Sequence, residues 1–285
     1  MVRDRVGIGW RPELAAGVLA HLDRIDVVGV IAEDYFEAGA RQIEALQTLA
    51  GFVPVVVHGT SLGPASAVPV ETRRLDHLAR LVERVRLESW SEHLAFVRGG
   101  GLEIGHLAAP PRIAATVEGT VANLRRARAV VGTAPLVENI ATLIDPPGSS
   151  LTEADWIQQI LALSGCPLLL DLHNVYANAL NHGYDARSFV REMPADRIGM
   201  IHLAGGRWIS ASGGERRLLD DHLHDVPDVV YGLLEEVAAA APGPLTVILE
   251  RDGRYPAMED LLAQLDAARR AMARGRRRRD ERCAA

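Results

Sequence analysis

Eight short apolar runs recur along this chain, each followed by a longer segment with helical spacing. The runs are VGIGW (6–10), VVGVIAEDYF (27–36), VPVVVHG (53–59), LESWSEHLAF (87–96), PLVENIA (135–141), PLLLDLHNV (167–175), IGMIHLAGG (198–206) and PLTVILERDG (244–253). Helical patterns follow at 12–22, 39–50, 71–86, 111–131, 152–164, 186–193, 227–240 and 256–273. The runs are apolar without strict alternation, as in parallel strands covered on both faces. Pro12, Thr152 before Asp155, and Pro227 before Asp228 mark helix starts. Eight strand–helix units predict an α/β fold of the (β/α)8 TIM-barrel type, for which about 250 residues is typical. The competing fold, a doubly wound open sheet, carries a glycine-rich phosphate turn after its first strand. Here GIGWRPEL (7–14) lacks the third glycine and runs into proline. No Pro-, Gly- or Ser-rich linker divides the chain, so 1–273 is read as one barrel domain and 274–285 as a basic, disordered tail.

A barrel of this kind does its chemistry where strands end and loops begin, at the C-terminal face. The third run ends in His58, the fourth in Glu92-His93 and the fifth in Glu138-Asn139. The sixth ends in Asp171-Leu172-His173-Asn174 and the seventh in His202. The loop after it carries DDHLHD, Asp220 to Asp225, and the eighth run ends in Glu250-Arg251-Asp252. Seven of the ten histidines (58, 93, 173, 182, 202, 222 and 224) fall at these ends or in the loops beyond them. One histidine at a strand end is more often a hydrogen-bonded structural residue than a ligand, and Glu138-Asn139 alone could cap a helix. The joint placement carries the argument. So many carboxylates cannot lie together desolvated unless something neutralises them, and a metal ion is the simplest candidate. The donors are imidazole and carboxylate, a set that suits zinc, manganese or iron. The only cysteines are Cys166 and Cys283, and no Cys-x-x-Cys occurs, which removes thiolate zinc sites. At least eight donors are too many for one ion, so two or three ions sharing a carboxylate are expected, with Glu138 as the bridge. In an extended strand Asp171 and His173 share a face and Asn174 does not; if the strand stops at Asp171, Asn174 can turn in. Spacing alone leaves both open.

Net charge is −6 and every one of the 31 basic residues is arginine. That balance argues against a nucleic-acid partner. The N-terminus MVRDRVGIGW has no apolar signal segment, and no apolar run approaches a membrane span. The expectation is a cytoplasmic protein with no membrane contact.

Taken in order, HGTSLG, SEHLAF, ENIAT, LLLDLHNVYANALNHG, IHLAGG, DDHLHDVPDVVY and ILERDG resemble the family first catalogued as domain of unknown function 692. It is now called the multinuclear non-haem iron-dependent oxidative enzymes, and the resemblance runs from about Val6 to Pro256. It implies a xylose isomerase-like TIM barrel. It also implies two or three irons, mixed Fe(II)/Fe(III), at the mouth, and O2 as co-substrate. The implied reaction is oxidative modification of a residue, commonly cysteine, in a ribosomally made precursor peptide (RiPP natural-product biosynthesis). A separate partner protein would present that peptide. Residue by residue, His58, His93 and Glu138 resemble the ligands of one iron, with Glu138 bridging. Asp171, His202 and Glu250 resemble those of the next. Asp220 and His222, with the position of Asn174, resemble those of a third. Position 174 is His in some members, and many have His where this chain has Gly206. His182, His224 and Asp252 match recurring positions and are the acid–base or ligand-supporting candidates.

Two other readings stand beside this one. A zinc- or manganese-dependent isomerase or phosphodiesterase could use the same barrel. An isomerase of the xylose type usually has a lysine near its metals, and this chain has none; an acidic mouth disfavours a nuclease. The other is a metal-bearing scaffold without catalysis.

Overall fold

The structure, a computed structural model, describes residues 3–210 and 214–284. Among the described residues twelve strands are found: β1 (Arg5–Gly9), β2 (Val28–Ile31), β3 (Val55–Gly59), β4 (Ser89–His93), β5 (Phe96–Gly99), β6 (Leu102–Ala108), β7 (Leu136–Glu138), β8 (Leu168–Asp171), β9 (Ile198–Leu203), β10 (Gly206–Ser210), β11 (Arg216–Asp220) and β12 (Thr246–Leu249). The helices are α1 (Ala15–Ala20), α2 (Ala40–Phe52), α3 (Thr72–Arg84), α4 (Ala114–Val131), α5 (Glu153–Ser164), α6 (Leu172–His182), α7 (Ala186–Glu192), α8 (Asp228–Ala240) and α9 (Met258–Ala284). Eight strands close into a barrel in the order β1-β12-β9-β8-β7-β4-β3-β2, as the eight apolar runs predict. No helix among the described residues is long and apolar enough to cross a membrane.

Two compact units make up the chain: residues 28–140 with 146–169, and residues 1–27 with 141–145 and 170–285. In the first, β2, β3, β4 and β7 pair in parallel, with His58 in register with Ser91 and His93 with Glu138. Leu75, Leu78 and Leu81 of α3 are buried at helical spacing. Asn123 of α4 secures the segment after β3: its Oδ1 accepts from Val70 N at 3.0 Å, and its Nδ2 reaches the carbonyls of Pro64, Ser66 and Val68. The segment between the fourth run and the helix that follows it, left unassigned by the apolar pattern, forms the antiparallel hairpin β5–β6. Leu102 and Ile104 of this hairpin are exposed, so it lacks the one-sided burial that marks a strand in sequence.

In the second unit β1, β12 and β9 pair in parallel. Of the two courses that spacing leaves open for 167–175, the structure takes the second: β8 stops at Asp171 and α6 begins at once. Asp171 is its N-cap, with Oδ1 accepting from Asn174 N at 2.6 Å. The reading of 274–285 as a disordered tail is corrected: α9 runs to Ala284, and Ala285 lies outside the described residues. Its arginines serve the end of α8. Arg276 Nη1 donates to Ala238 O at 3.0 Å, Arg279 to Ala241 O at 2.8 Å and Arg282 to Ala239 O at 2.5 Å. These carbonyls have no partner inside α8 itself. Gly275 allows the approach, since a Cβ there would lie 2.4 Å from Glu235 O.

Arg276 also grips Asp4, at 2.9 and 2.7 Å, and Asp4 accepts from Leu245 N at 2.8 Å. Burial opposes ionisation of Asp4, but the guanidinium and the amide outweigh it and hold the carboxyl below its ordinary value. A folded-state value below the unfolded one contributes stability above about pH 3.9, lost as pH falls through the lowered value. Asp4→Asn is therefore expected to melt below wild type at pH 7, with the gap closing in stronger acid. Thermal unfolding across pH 3 to 7 checks this, and a gap of constant size would contradict it.

Candidate metal centre

In β4, Ser89, Ser91 and His93 share one face by the two-residue period of a strand, and Trp90 and Glu92 share the other. Register places His58 beside Ser91 and His93 beside Glu138. The result is a buried group of His58, His93 and Glu138 whose ligand atoms lie within 4.8 Å of one another. His58 Nε2 is 3.2 Å from His93 Nε2 and 3.3 Å from Glu138 Oε2, and His93 Nε2 is 3.5 Å from the same oxygen. The outer nitrogen of His58, Nδ1, meets Ser91 Oγ at 2.8 Å. This orients the ring and leaves Nε2 facing inward, the usual support of a metal-binding imidazole. Glu92 is not one of the converging donors but stands behind His93, with Oε1 3.7 Å from its Nδ1. Its oxygens accept from Leu62 N and His93 N, and full burial raises its pKa above the ordinary carboxylate range.

In the second unit Asp171, His202 and Glu250 form another buried group, again with ligand atoms within 4.8 Å. Each stands at the C-terminal end of its strand or just beyond it, and Glu250 N donates to Leu203 O at 2.8 Å. His202 Nδ1 is 3.2 Å from Glu250 Oε2.

Beside this group lies a chain of alternating charge. Arg11, just past β1, holds Asp252 Oδ1 through Nε at 2.9 Å and also through Nη2. Asp252 Oδ2 meets His222 Nδ1 at 3.0 Å, His222 Nε2 meets Asp220 Oδ2 at 2.9 Å, and Asp220 Oδ1 meets His173 Nδ1 at 2.7 Å. Burial disfavours charge on Asp220, but His222 and the His173 N–H outweigh it, holding its carboxyl well below the usual range. Burial likewise disfavours charge on His222, and Asp220 and Asp252 override it and raise its pKa. Asp252 is lowered against its own burial by His222 and Arg11.

The sequence candidates thus fall unevenly. His58, His93 and Glu138 come together in the first unit; Asp171, His202, Glu250, Asp220, His222 and Asp252 do so in the second. Asn174 is buried in the first turn of α6, and it is His173 that bonds Asp220. His182 ends α6, about 16 Å along the helix from Asp171 at 1.5 Å per residue, and its Nε2 meets Thr142 Oγ1 at 2.8 Å. His224 pairs with Asp221 at 2.9 Å, away from His222. Arg11 and Ser91 carry no sequence signal of their own. Arg11 follows β1, whose end offers no carboxylate or imidazole, and Ser91 is betrayed only by sharing a face with His93.

The donors are buried imidazoles and carboxylates converging in compact sets without thiolate, which fits iron, zinc or manganese. Solved structures support the architecture. L-ribulose 3-epimerase aligns with a TM-score of 0.62 at 14% identity over 99% of this chain and 98% of its own. Endonuclease IV from Thermus thermophilus aligns with a TM-score of 0.56 at 16% identity over 94% and 99%. At such identities they show the fold alone, a xylose isomerase-like TIM barrel. By sequence, a UPF0276 protein of Caulobacter vibrioides is 34% identical over 275 residues, 96% of each chain. A UPF0276 protein of Bordetella bronchiseptica is 33% identical over 271 residues, covering 95% of this chain and 93% of its own. Residues 5–273 match the family described as RiPP precursor modification enzyme MbnB/TglH/ChrH, and with relatives of this length and identity the chain belongs to that family.

Proposed function

We propose that this protein is an iron- and O2-dependent enzyme that oxidatively modifies a residue, cysteine by preference, in a ribosomally made precursor peptide. The observation that carries the reading is the pair of buried groups, His58/His93/Glu138 and Asp171/His202/Glu250. Each joins imidazole to carboxylate at the ends of barrel strands, in a chain whose family modifies RiPP precursors. His58, His93 and Glu138 would hold one ion; Asp171, His202 and Glu250 a second; Asp220 and His222, with Asn174, a third. Bound iron would supply O2 activation and a seat for a substrate thiolate. The rest falls to the chain: Ser91 and Asp252 turn His58 and His222 so that Nε2 of each faces inward. Burial of the donors keeps water from competing for them. A separate peptide-presenting partner belongs to this reading as well.

Metal analysis of protein purified without oxygen, with Mössbauer spectra for oxidation state, is the test, followed by O2 consumption with a cysteine-bearing precursor peptide. Two or more irons per chain and peptide-dependent O2 uptake are expected. Zinc or manganese alone, with no activity on iron reconstitution, would move the assignment to isomerase or phosphodiesterase chemistry.

A further inference from the structure

We propose that His173 and Arg11 are positioning residues that fix Asp220 and His222, from opposite ends, in the orientation a metal ion requires. This inference rests on the preceding reading of Asp220 and His222 as ligands. It starts from which atoms are used. Asp220 and His222 face each other through Oδ2 and Nε2 at 2.9 Å. Their outer atoms are already taken: Asp220 Oδ1 by His173 Nδ1 at 2.7 Å, and His222 Nδ1 by Asp252 Oδ2 at 3.0 Å. An ion entering between the inner pair would replace one contact and leave both outer bonds in place. That is the arrangement of outer partners that sets imidazole tautomer and ligand direction at metal sites.

The backbone is held to the same end. His222 has φ 54, in the left-handed region that disfavours a residue with a Cβ. His222 N donates to Gly205 O at 3.0 Å, and His222 O accepts from Asp252 N at 2.9 Å. Asp252 therefore grips both the backbone and the ring of His222, and Arg11 grips Asp252. At the other end His173 is 1% exposed, and its Nε2 has no hydrogen-bond partner among the described residues. Its polar function is spent on Asp220. Gly206 makes room for the ring, since a Cβ there would lie 2.7 Å from His173 Cε1 and 2.2 Å from Leu219 O.

The experiment is an anaerobic titration of the full chain with Co(II), followed by its visible ligand-field bands, with iron content after Fe(II) loading in parallel. Variants are Arg11→Met and His173→Leu, each with a rescue partner that restores a donor, Arg11→Lys and His173→Asn. Wild type should take a further ion beyond those of the two buried groups, and His222→Ala should abolish it. Arg11→Met and His173→Leu should weaken that ion alone by about 10–100-fold, with Lys and Asn recovering part of the loss. Recovery by the donor-bearing variants separates positioning from a failure to fold. Equal affinity for every ion in Arg11→Met and His173→Leu would overturn the proposal. So would a wild type that binds only the ions His222→Ala retains, although the function proposed above would then stand. A wild type that binds neither Co(II) nor Fe(II) would remove both.

Discussion

Glu138→Ala is expected to leave a folded chain that lacks at least one iron and has no turnover. Glu138 is 1% exposed, and its Oε2 lies 3.3 and 3.5 Å from the inner nitrogens of His58 and His93. It is the sole carboxylate in that group, so its removal leaves two neutral imidazoles to hold a cation. Lost anionic charge in a buried site is not replaced by solvent, and the two imidazoles lack the hard oxygen donor that steadies iron. Glu138→Gln is the sharper companion, since it keeps volume and packing while removing the charge. Both should fall short in iron per chain by elemental analysis and give no product in single-turnover assays. Circular dichroism should match wild type. Full iron content with normal turnover in either variant would remove Glu138 from the site.

Gly205→Ala is expected to disturb the loop that bears Asp220 and His222 at a distance, without touching a proposed ligand. A Cβ at 205 would sit 2.3 Å from Asp225 O and 2.5 Å from His224 O, both backbone atoms that cannot rotate aside. The segment after β9 and the loop bearing His222 would have to separate. The bond from His222 N to Gly205 O would go with them. Overpacking of this kind costs about 1–3 kcal/mol, roughly 2–4 °C per kcal/mol in melting temperature for a chain of this size. The larger effect should be on metal: His222 loses one of the restraints that hold its left-handed backbone, and the ion at Asp220 and His222 should be lost or weakened at least tenfold. Gly17→Ala, in the same unit, is the control. The atoms nearest its Cβ all belong to the flexible Met258 side chain, from 2.9 Å, so metal content should stay normal. Matching metal losses in both variants would mean that general destabilisation is responsible.

The barrel was legible because strand-like apolar runs and helical spacing are local properties, repeated eight times with turn signals between them. The donors were legible for a related reason. A strand end is a position along the chain, so His58, Glu138, Asp171, His202 and Glu250 could be picked out before any contact between strands was known. The two hairpins were not legible, because β5–β6 and β10–β11 carry exposed apolar and charged residues without clean alternation. The helical end of α9 was missed because a run of arginines reads as solvated charge. The carbonyls at and just past the end of α8, together with Asp4, Glu235 and Glu236, give those guanidinium groups a reason to be ordered.

By itself, then, the sequence determined the class of fold, the strand ends that carry donors and the types of those donors. All of these follow from periodicity and from which residue stands at each strand end. Tertiary structure alone decided which of those donors meet and what orients them. Arg11 reaches Asp252 across 241 positions of chain and His173 reaches Asp220 across 47, while His182 and His224 are turned to other partners. The physical reason is range. A strand or helix is specified by neighbours a few residues apart, whereas a hydrogen bond between distant segments exists only once the barrel has brought their ends together.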